Sequence, residues 1–260
     1  MRAFDERFEG LSADLEECCR RQPGVTGLVL LGSAAEASRR DEWSDHDFFV
    51  VLDPEALATR EDLSWLPDSE RIVLVASEGE IGRAVVYEDG HLLEFAIATE
   101  AELGEVRVNR RRIVYDEHGS VARIVDRASA PRQPESGATA ENHVRLFFVK
   151  ILVGVGRVRR GEVLSGGRFI RTWAVDHLIA AVRMLVPGSA TGAEDDLDPL
   201  RRFELDHPEL GERIEASLAL EPEEAALALV EIARAELEPG WPGFPTRAAE
   251  AVAARLDWNG

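Results

Sequence analysis

Two aspartates one residue apart, Asp45 and Asp47, open a strongly apolar stretch that runs to Leu52. The stretch has the composition of a buried strand, and side chains two apart in a strand point to the same face. We therefore expect the two carboxylates to project together at the edge of a sheet, with His46 on the other face. Two hard carboxylates held side by side are natural ligands for Mg²⁺.

A Gly-Ser pair, Gly32 and Ser33, follows an earlier apolar run, and eleven residues separate it from Asp45. Glycine lets backbone approach a phosphate closely, and Ser33 offers a hydroxyl and an N–H group. A phosphate cradle facing a carboxylate metal site suits metal-assisted nucleotidyl transfer. The alternative is an ordinary Gly-Ser turn followed by an Asp-rich loop that merely starts a strand.

The combination of Gly32, Ser33, Asp45 and Asp47 between two apolar strands resembles the DNA polymerase β-type nucleotidyltransferase superfamily. The resemblance implies a third carboxylate from a later strand, and Glu94 is the candidate. It is the one charged residue between Leu92 and Ala98, where an unpaired buried charge would be costly. Two alternatives remain open: Glu94 faces solvent on an edge strand, or Asp89 in the preceding Asp-Gly turn supplies the acid.

Length and composition indicate which class of protein this chain forms. The 260 residues are 45% hydrophobic and 30% charged, which describes a globular protein with one large or two medium domains. No apolar run reaches membrane-spanning length and the N-terminus lacks a signal-peptide core, so we expect a cytoplasmic protein without membrane contact. Adjacent Cys18 and Cys19 are expected to be reduced and structural.

The formal net charge of -19 disfavours nonspecific nucleic-acid binding and suits a small cationic substrate. An acidic surface also keeps proteins soluble, so charge alone decides little. Lys150 is the only lysine among many arginines.

Hydrophobic periodicity predicts an α+β fold in two parts. The first part is a mixed sheet with flanking helices: a helix from Asp5 to Arg21, then strands, a short helix near Pro54, and a short helix or turn from Thr99. The predicted strands are Val25–Leu31, Phe48–Leu52, Arg71–Ala76, Ala84–Tyr87, Leu92–Ala98 and Arg112–Tyr115. Because of its turn residues, the stretch from 88 to 90 is expected to close a hairpin.

The second part is predicted to be an α-helical bundle. The expected helices are Glu141–Arg160, Arg168–Leu185, Pro208–Leu218, Glu221–Leu237 and Phe244–Leu256, with a loop from Pro187 to Asp198. A stretch rich in proline, serine and alanine separates the two parts. We therefore predict a nucleotidyltransferase domain at 1–130, a linker at 131–139 and a helical bundle domain at 140–260.

This arrangement resembles the aminoglycoside nucleotidyltransferases, and the loop from Ser33 to Asp45 resembles the streptomycin-type members. The resemblance implies an enzyme that uses Mg²⁺ on Asp45, Asp47 and Glu94 to move a nucleoside monophosphate, expected to be AMP from ATP, to a hydroxyl of a small cationic acceptor. Gly32 and Ser33 would hold the departing phosphates, and Glu94 would take the proton.

The helical bundle supplies further candidates. Lys150 would neutralise phosphate charge, or is a snorkelling surface residue. Weaker substrate-binding candidates are Glu141, Asp176 and Trp173, with core packing favoured for Trp173. His46 and His91 are expected to be packing or surface groups, because Mg²⁺ prefers oxygen.

Two other functions stay open. One is a regulator that keeps the nucleotidyltransferase fold without turnover, which intact Asp45, Asp47 and Glu94 disfavour. The other is a toxin–antitoxin-type protein, because Arg171 and His177 resemble the Arg-x5-His motif of HEPN-type ribonucleases. That spacing is common in Arg-rich helices, and ordinary surface residues explain it more simply.

Overall fold

The computed structural model describes residues 2–106, 108, 110–128, 138–189 and 198–258. The chain divides into two compact units, one from Met1 to Arg132 and one from Gln133 to Gly260. The linker predicted at 131–139 lies outside the described residues except for 138 and 139.

The first unit is built on a six-stranded sheet with the order β3-β4-β5-β2-β1-β6. Neighbouring strands are antiparallel except β2 and β5, which are parallel, so the predicted mixed sheet is confirmed. The strands are β1 (Val25–Leu31), β2 (His46–Leu52), β3 (Ile72–Glu78), β4 (Gly82–Tyr87), β5 (Leu92–Thr99) and β6 (Arg111–Asp116).

Helices cover both faces of this sheet because the central strands are apolar on both sides. The long helix α1 (Arg2–Arg21) packs through Phe8 and Leu15 on one face. On the other face, the short helix α3 (Glu100–Leu103) and the helix α4 (Ser120–Ala128) enclose an apolar cluster that includes Val29 and Val51. The structure therefore adds α4 to the elements predicted from the sequence.

Local chemistry explains two connections near the site. Gly90, at φ +82°, allows the turn that joins β4 to β5, and the predicted hairpin is confirmed. Thr99 caps α3: its hydroxyl accepts from the Glu102 N–H, while the Glu102 carboxylate accepts from the Thr99 N–H.

The second unit is helical, as predicted, and its core is made of apolar side chains from facing helices. Its helices are α5 (Ala140–Arg159), α6 (Val163–Arg168), α7 (Val175–Leu185), α8 (Phe203–Asp206), α9 (Pro208–Leu218), α10 (Pro222–Leu237) and α11 (Thr246–Arg255).

The helix predicted from Arg168 to Leu185 is present but begins earlier, at Val163. A π-helical segment from Phe169 to Ala174 joins α6 to α7 within it. Part of the loop predicted between Pro187 and Asp198 lies outside the described residues. None of the helices in the described part of the chain combines the length and the apolar character needed to cross a membrane.

Candidate active site

Parallel pairing of β2 and β5 brings two acids from distant parts of the chain together. Asp47 on β2 lies opposite Glu94 on β5, and the next pair is Phe48 opposite Phe95. The two phenyl rings stack with centroids 4.7 Å apart on the face toward α1. Because strand side chains alternate, this stacking directs Asp47 and Glu94 to the opposite face.

Asp45 completes a cluster with Asp47 and Glu94. One carboxylate oxygen from each residue lies within 4.8 Å of the others. Asp45 and Asp47 are half-buried, so solvent only partly screens their charges. Three carboxylates converging in this way offer oxygen ligands of the kind that bind Mg²⁺.

The electrostatics of the cluster favour a bound cation. Burial raises the pKa of Glu94, and the nearby charges of Asp45 and then Glu78 raise it further. Each of these effects disfavours the ionised carboxylate. A cation between the three acids would offset the repulsion.

The Gly-Ser segment lies directly against this cluster. Gly32 adopts φ +50° and stands at the start of the short helix α2 (Gly32–Ala35). A Cβ atom added at Gly32 would stand 3.2 Å from the Asp47 Oδ2 atom. The buried Ser33 hydroxyl donates to the backbone carbonyl of Asp45 at 3.3 Å. Ser33 thus bonds to Asp45, and the space beside Gly32 opens onto Asp47.

His46 fixes the start of β2 from the other face of the sheet. It is fully buried, and its ring stacks on Phe8 with centroids 3.7 Å apart. Its Nδ1 atom lies 2.8 Å from His91 Nε2, and its Nε2 atom lies 3.0 Å from the Ser12 hydroxyl. Burial lowers the pKa of His46 to about 3, so the ring is neutral at pH 7. His46 therefore packs against α1.

Asp89, the alternative candidate for the third carboxylate, lies exposed in the hairpin turn.

In the second unit, Lys150 lies beside two aromatic rings. Its Nζ atom is 5.7 Å from the centroid of Phe169 and 5.5 Å from that of Trp173. Trp173 is half-buried, and the Cζ atom of the Arg168 guanidinium lies 4.9 Å from the centroid of its ring. The core packing favoured for Trp173 is thus not its main environment: the indole lies in a partly exposed group of cations and rings.

The other predicted residues of the second unit occupy separate environments. The exposed Glu141 pairs with Arg145, one turn along α5. Asp176 is half-buried, and burial, followed by the charge of Asp198, raises its pKa.

Arg171 and His177, the residues of the ribonuclease-like motif, contact different elements. Arg171 donates to the backbone carbonyl of Leu220, which follows α9. His177 Nδ1 lies 3.1 Å from His143 Nδ1 on α5. This arrangement weighs against a shared ribonuclease site.

Comparisons with known proteins give nucleotidyltransferases as structural neighbours, at low identity. A nucleotidyltransferase-like protein from Exiguobacterium sibiricum is 11% identical, with 96% of this chain and 79% of that chain covered and a TM-score of 0.37. An aminoglycoside 6-adenyltransferase from Bacillus subtilis is 13% identical, with coverage of 94% and 90% and a TM-score of 0.31. The CD-NTase CdnG of Bradyrhizobium diazoefficiens, in complex with GTP, is 14% identical, with coverage of 97% and 92% and a TM-score of 0.27.

The chain matches no protein-family model and no curated protein sequence. With TM-scores below 0.5, these likenesses assign no activity to the chain.

Proposed function

We propose that this protein is a metal-dependent nucleotidyltransferase that moves a nucleoside monophosphate from a nucleoside triphosphate, ATP in the first instance, to a hydroxyl of a small acceptor. One observation carries the proposal. Three carboxylates, from the start of β2 and from β5, converge within 4.8 Å, and a Cβ atom at Gly32 would lie 3.2 Å from the Asp47 carboxylate. Acids in this arrangement, beside backbone that a phosphate can approach closely, suit phosphoryl chemistry.

The donor set fits Mg²⁺. Asp45, Asp47 and Glu94 present oxygen atoms only, and their mutual repulsion is relieved by a divalent cation. When bound, such a metal neutralises phosphate charge and lowers the pKa of an acceptor hydroxyl.

The chain's own groups would then position the reactants. Glu94, which lies in the cluster opposite Asp47, is the group proposed to accept the hydroxyl proton. The acceptor oxygen forms a bond to the α-phosphorus, the bond to the leaving pyrophosphate breaks, and the proton passes to Glu94. Gly32 leaves room for the departing phosphates beside Asp47, and Ser33 holds the Asp45 backbone in place.

For the acceptor we propose a hydroxyl-rich cation such as an aminoglycoside, with Lys150 directed to phosphate. The net charge of -19 supports a cationic acceptor. Glu141 and Asp176 are the proposed partners of its ammonium groups, and Trp173 offers a partly exposed ring. The free thiols of Cys18 and Cys19 suit a reducing compartment, and we propose a cytoplasmic location.

The test is a screen for pyrophosphate release. The four common nucleoside triphosphates would be incubated with streptomycin, spectinomycin, kanamycin and simple polyols, with Mg²⁺ or with a chelator. We expect release that requires Mg²⁺, an acceptor and intact Asp45. Release that persists in Asp45→Asn, or no release with any pair of substrates, would contradict the proposal.

A further inference from the structure

Triphosphate held at Gly32 needs positive charge that the Gly-Ser segment lacks. The residues of α2 are Gly32, Ser33, Ala34 and Ala35, none of which is charged. The acids beside them are negative, and a nucleoside triphosphate brings several more negative charges. Cations from a neighbouring element must therefore supplement a bound metal.

The neighbouring element is the start of β6. The Gly32 N–H donates to the backbone carbonyl of Arg110 at 3.2 Å, and Leu31 lies opposite Arg111 in the β1–β6 ladder. Two arginines thus stand beside the Gly-Ser segment, although they are far from it in sequence.

Sheet register places Arg111 on the same face as the acid cluster. Ile113, two residues after Arg111 on β6, packs against the apolar cluster beneath α4. Phe49 on β2 packs against the same apolar cluster. Because side chains alternate, Arg111 shares the face of Ile113, and Asp47 shares the face of Phe49. Only β1 separates β6 from β2, so the two backbones are about 10 Å apart, twice the usual strand spacing. An extended arginine can span much of that distance.

Both arginines have carboxylate partners that a phosphate could replace. Arg110 Nη1 lies 3.3 Å from Glu36 Oε2, and Arg111 Nη2 lies 2.7 Å from Asp126 Oδ1. Arg110, Glu36 and Asp126 are all more than a third exposed. Solvent-exposed pairs are weak, whereas a phosphate group offers arginine a stronger, bidentate partner.

We propose that Arg110 and Arg111 form the binding site for the β- and γ-phosphates of the nucleotide, and that Glu36 and Asp126 hold them in place before the nucleotide binds. This inference rests on the proposed function and deepens it. It assigns to β6 the discrimination of a triphosphate from a monophosphate.

Arg71 provides a control at the opposite edge of the sheet. It immediately precedes β3, the edge strand farthest from β6. Its guanidinium lies 3.6 Å from a carboxylate oxygen of Asp68 and 3.8 Å from one of Glu88, and its side chain is about as exposed as that of Arg110. Replacing Arg71 removes the same charge at a distance from the Gly-Ser segment.

The experiment compares the binding of ATP, AMP and inorganic tripolyphosphate by calorimetry in the presence of Mg²⁺. The variants are Arg110→Gln, Arg111→Gln, the double variant and Arg71→Gln, each checked by circular dichroism. We expect the double variant to weaken binding of ATP and tripolyphosphate about tenfold or more, with AMP binding unchanged. Each single variant should show part of this loss, and Arg111→Lys should retain part of the affinity.

Unchanged ATP affinity in the double variant would overturn the inference, as would an equal loss in Arg71→Gln. If the double variant does not fold, the single variants decide by the same comparison. The proposed function is judged separately by pyrophosphate release. Wild-type release that is lost in Asp45→Asn, together with unchanged ATP binding in the arginine variants, would remove this inference alone.

Discussion

Asp47 and Glu94 face each other across a parallel strand pair, although a β-hairpin and further connections separate them in the chain. The pair joins the start of β2, where the Asp45–Asp47 motif lies, to β5, which forms a hairpin with β4. This relationship makes a three-acid cluster out of two unconnected sequence features. It also dictates which substitutions should damage chemistry without damaging the fold.

Asp47→Asn should abolish transfer while leaving the protein folded. The change keeps the side-chain volume and removes one of three charges that lie close together, so like-charge repulsion falls. Loss of a metal ligand removes several kcal/mol of transition-state stabilisation, which corresponds to a decrease in kcat of about a thousandfold or more. Pyrophosphate release and the thermal unfolding midpoint would be measured together. Near-normal turnover would exclude the proposed metal site.

Glu94→Gln should lower kcat by about 10²–10⁴-fold, the usual contribution of a general base. The matched control is Asp89→Asn, since Asp89 is the other acid proposed from the sequence and lies exposed in the hairpin turn. That control should keep wild-type turnover. A larger effect at Asp89 than at Glu94 would reverse the assignment of the third carboxylate.

Gly32→Ala should reduce activity through contact with Asp47. The new Cβ would lie 3.2 Å from Asp47 Oδ2, at a residue with φ +50°. Gly90→Ala is a suitable control, because Gly90 has φ +82° and its Cβ would meet open space. Both variants should lose about 1–2 kcal/mol of unfolding free energy from the left-handed backbone. Only Gly32→Ala should lose turnover as well, and equal kinetics in the two variants would argue against a role for the Gly32 contact.

Acid should destabilise the first unit through His46. Burial lowers its pKa from 6.5 to about 3, so between these values the unfolded state binds more protons than the folded state. Stability contributed by the neutral ring is therefore complete above pH 6.5 and is lost as pH falls towards 3, by up to about 1.4 kcal/mol per pH unit. Urea unfolding between pH 8 and pH 4 would measure this slope. In His46→Gln the slope should be shallower, and an unchanged slope would assign the acid sensitivity to other groups.

Acceptor binding should weaken steeply as salt concentration rises. Each exposed ion pair between a carboxylate and an ammonium group contributes only about 0–1 kcal/mol, so affinity must come from several pairs acting together. Ionic strength screens all of them. Calorimetry with streptomycin, spectinomycin and kanamycin at low and high salt, with ATP and Mg²⁺ present, would show the effect. ATP binding without heat from any of the three would eliminate the antibiotic acceptor and leave the nucleotidyl transfer chemistry in place.

The sequence by itself determined the elements and the residue types of the site. The strand patterns at Val25–Leu31 and Leu92–Ala98, the Asp-Gly hairpin turn and the helical periodicity of the second unit are local signals, because each depends on neighbouring residues. The Gly-Ser pair and the two aspartates were also visible as a motif.

Tertiary structure alone decided which strands are neighbours. The register of the parallel β2–β5 pair, the approach of Gly32 to Asp47 and the arrival of Arg110 and Arg111 beside the Gly-Ser segment all join residues that are distant in the chain. A one-residue slip in register would turn each side chain to the opposite face. Alternation therefore predicts that Asp45 and Asp47 point together, whereas burial of Phe48 against Phe95 on the other face of the sheet determines that Glu94 points to them.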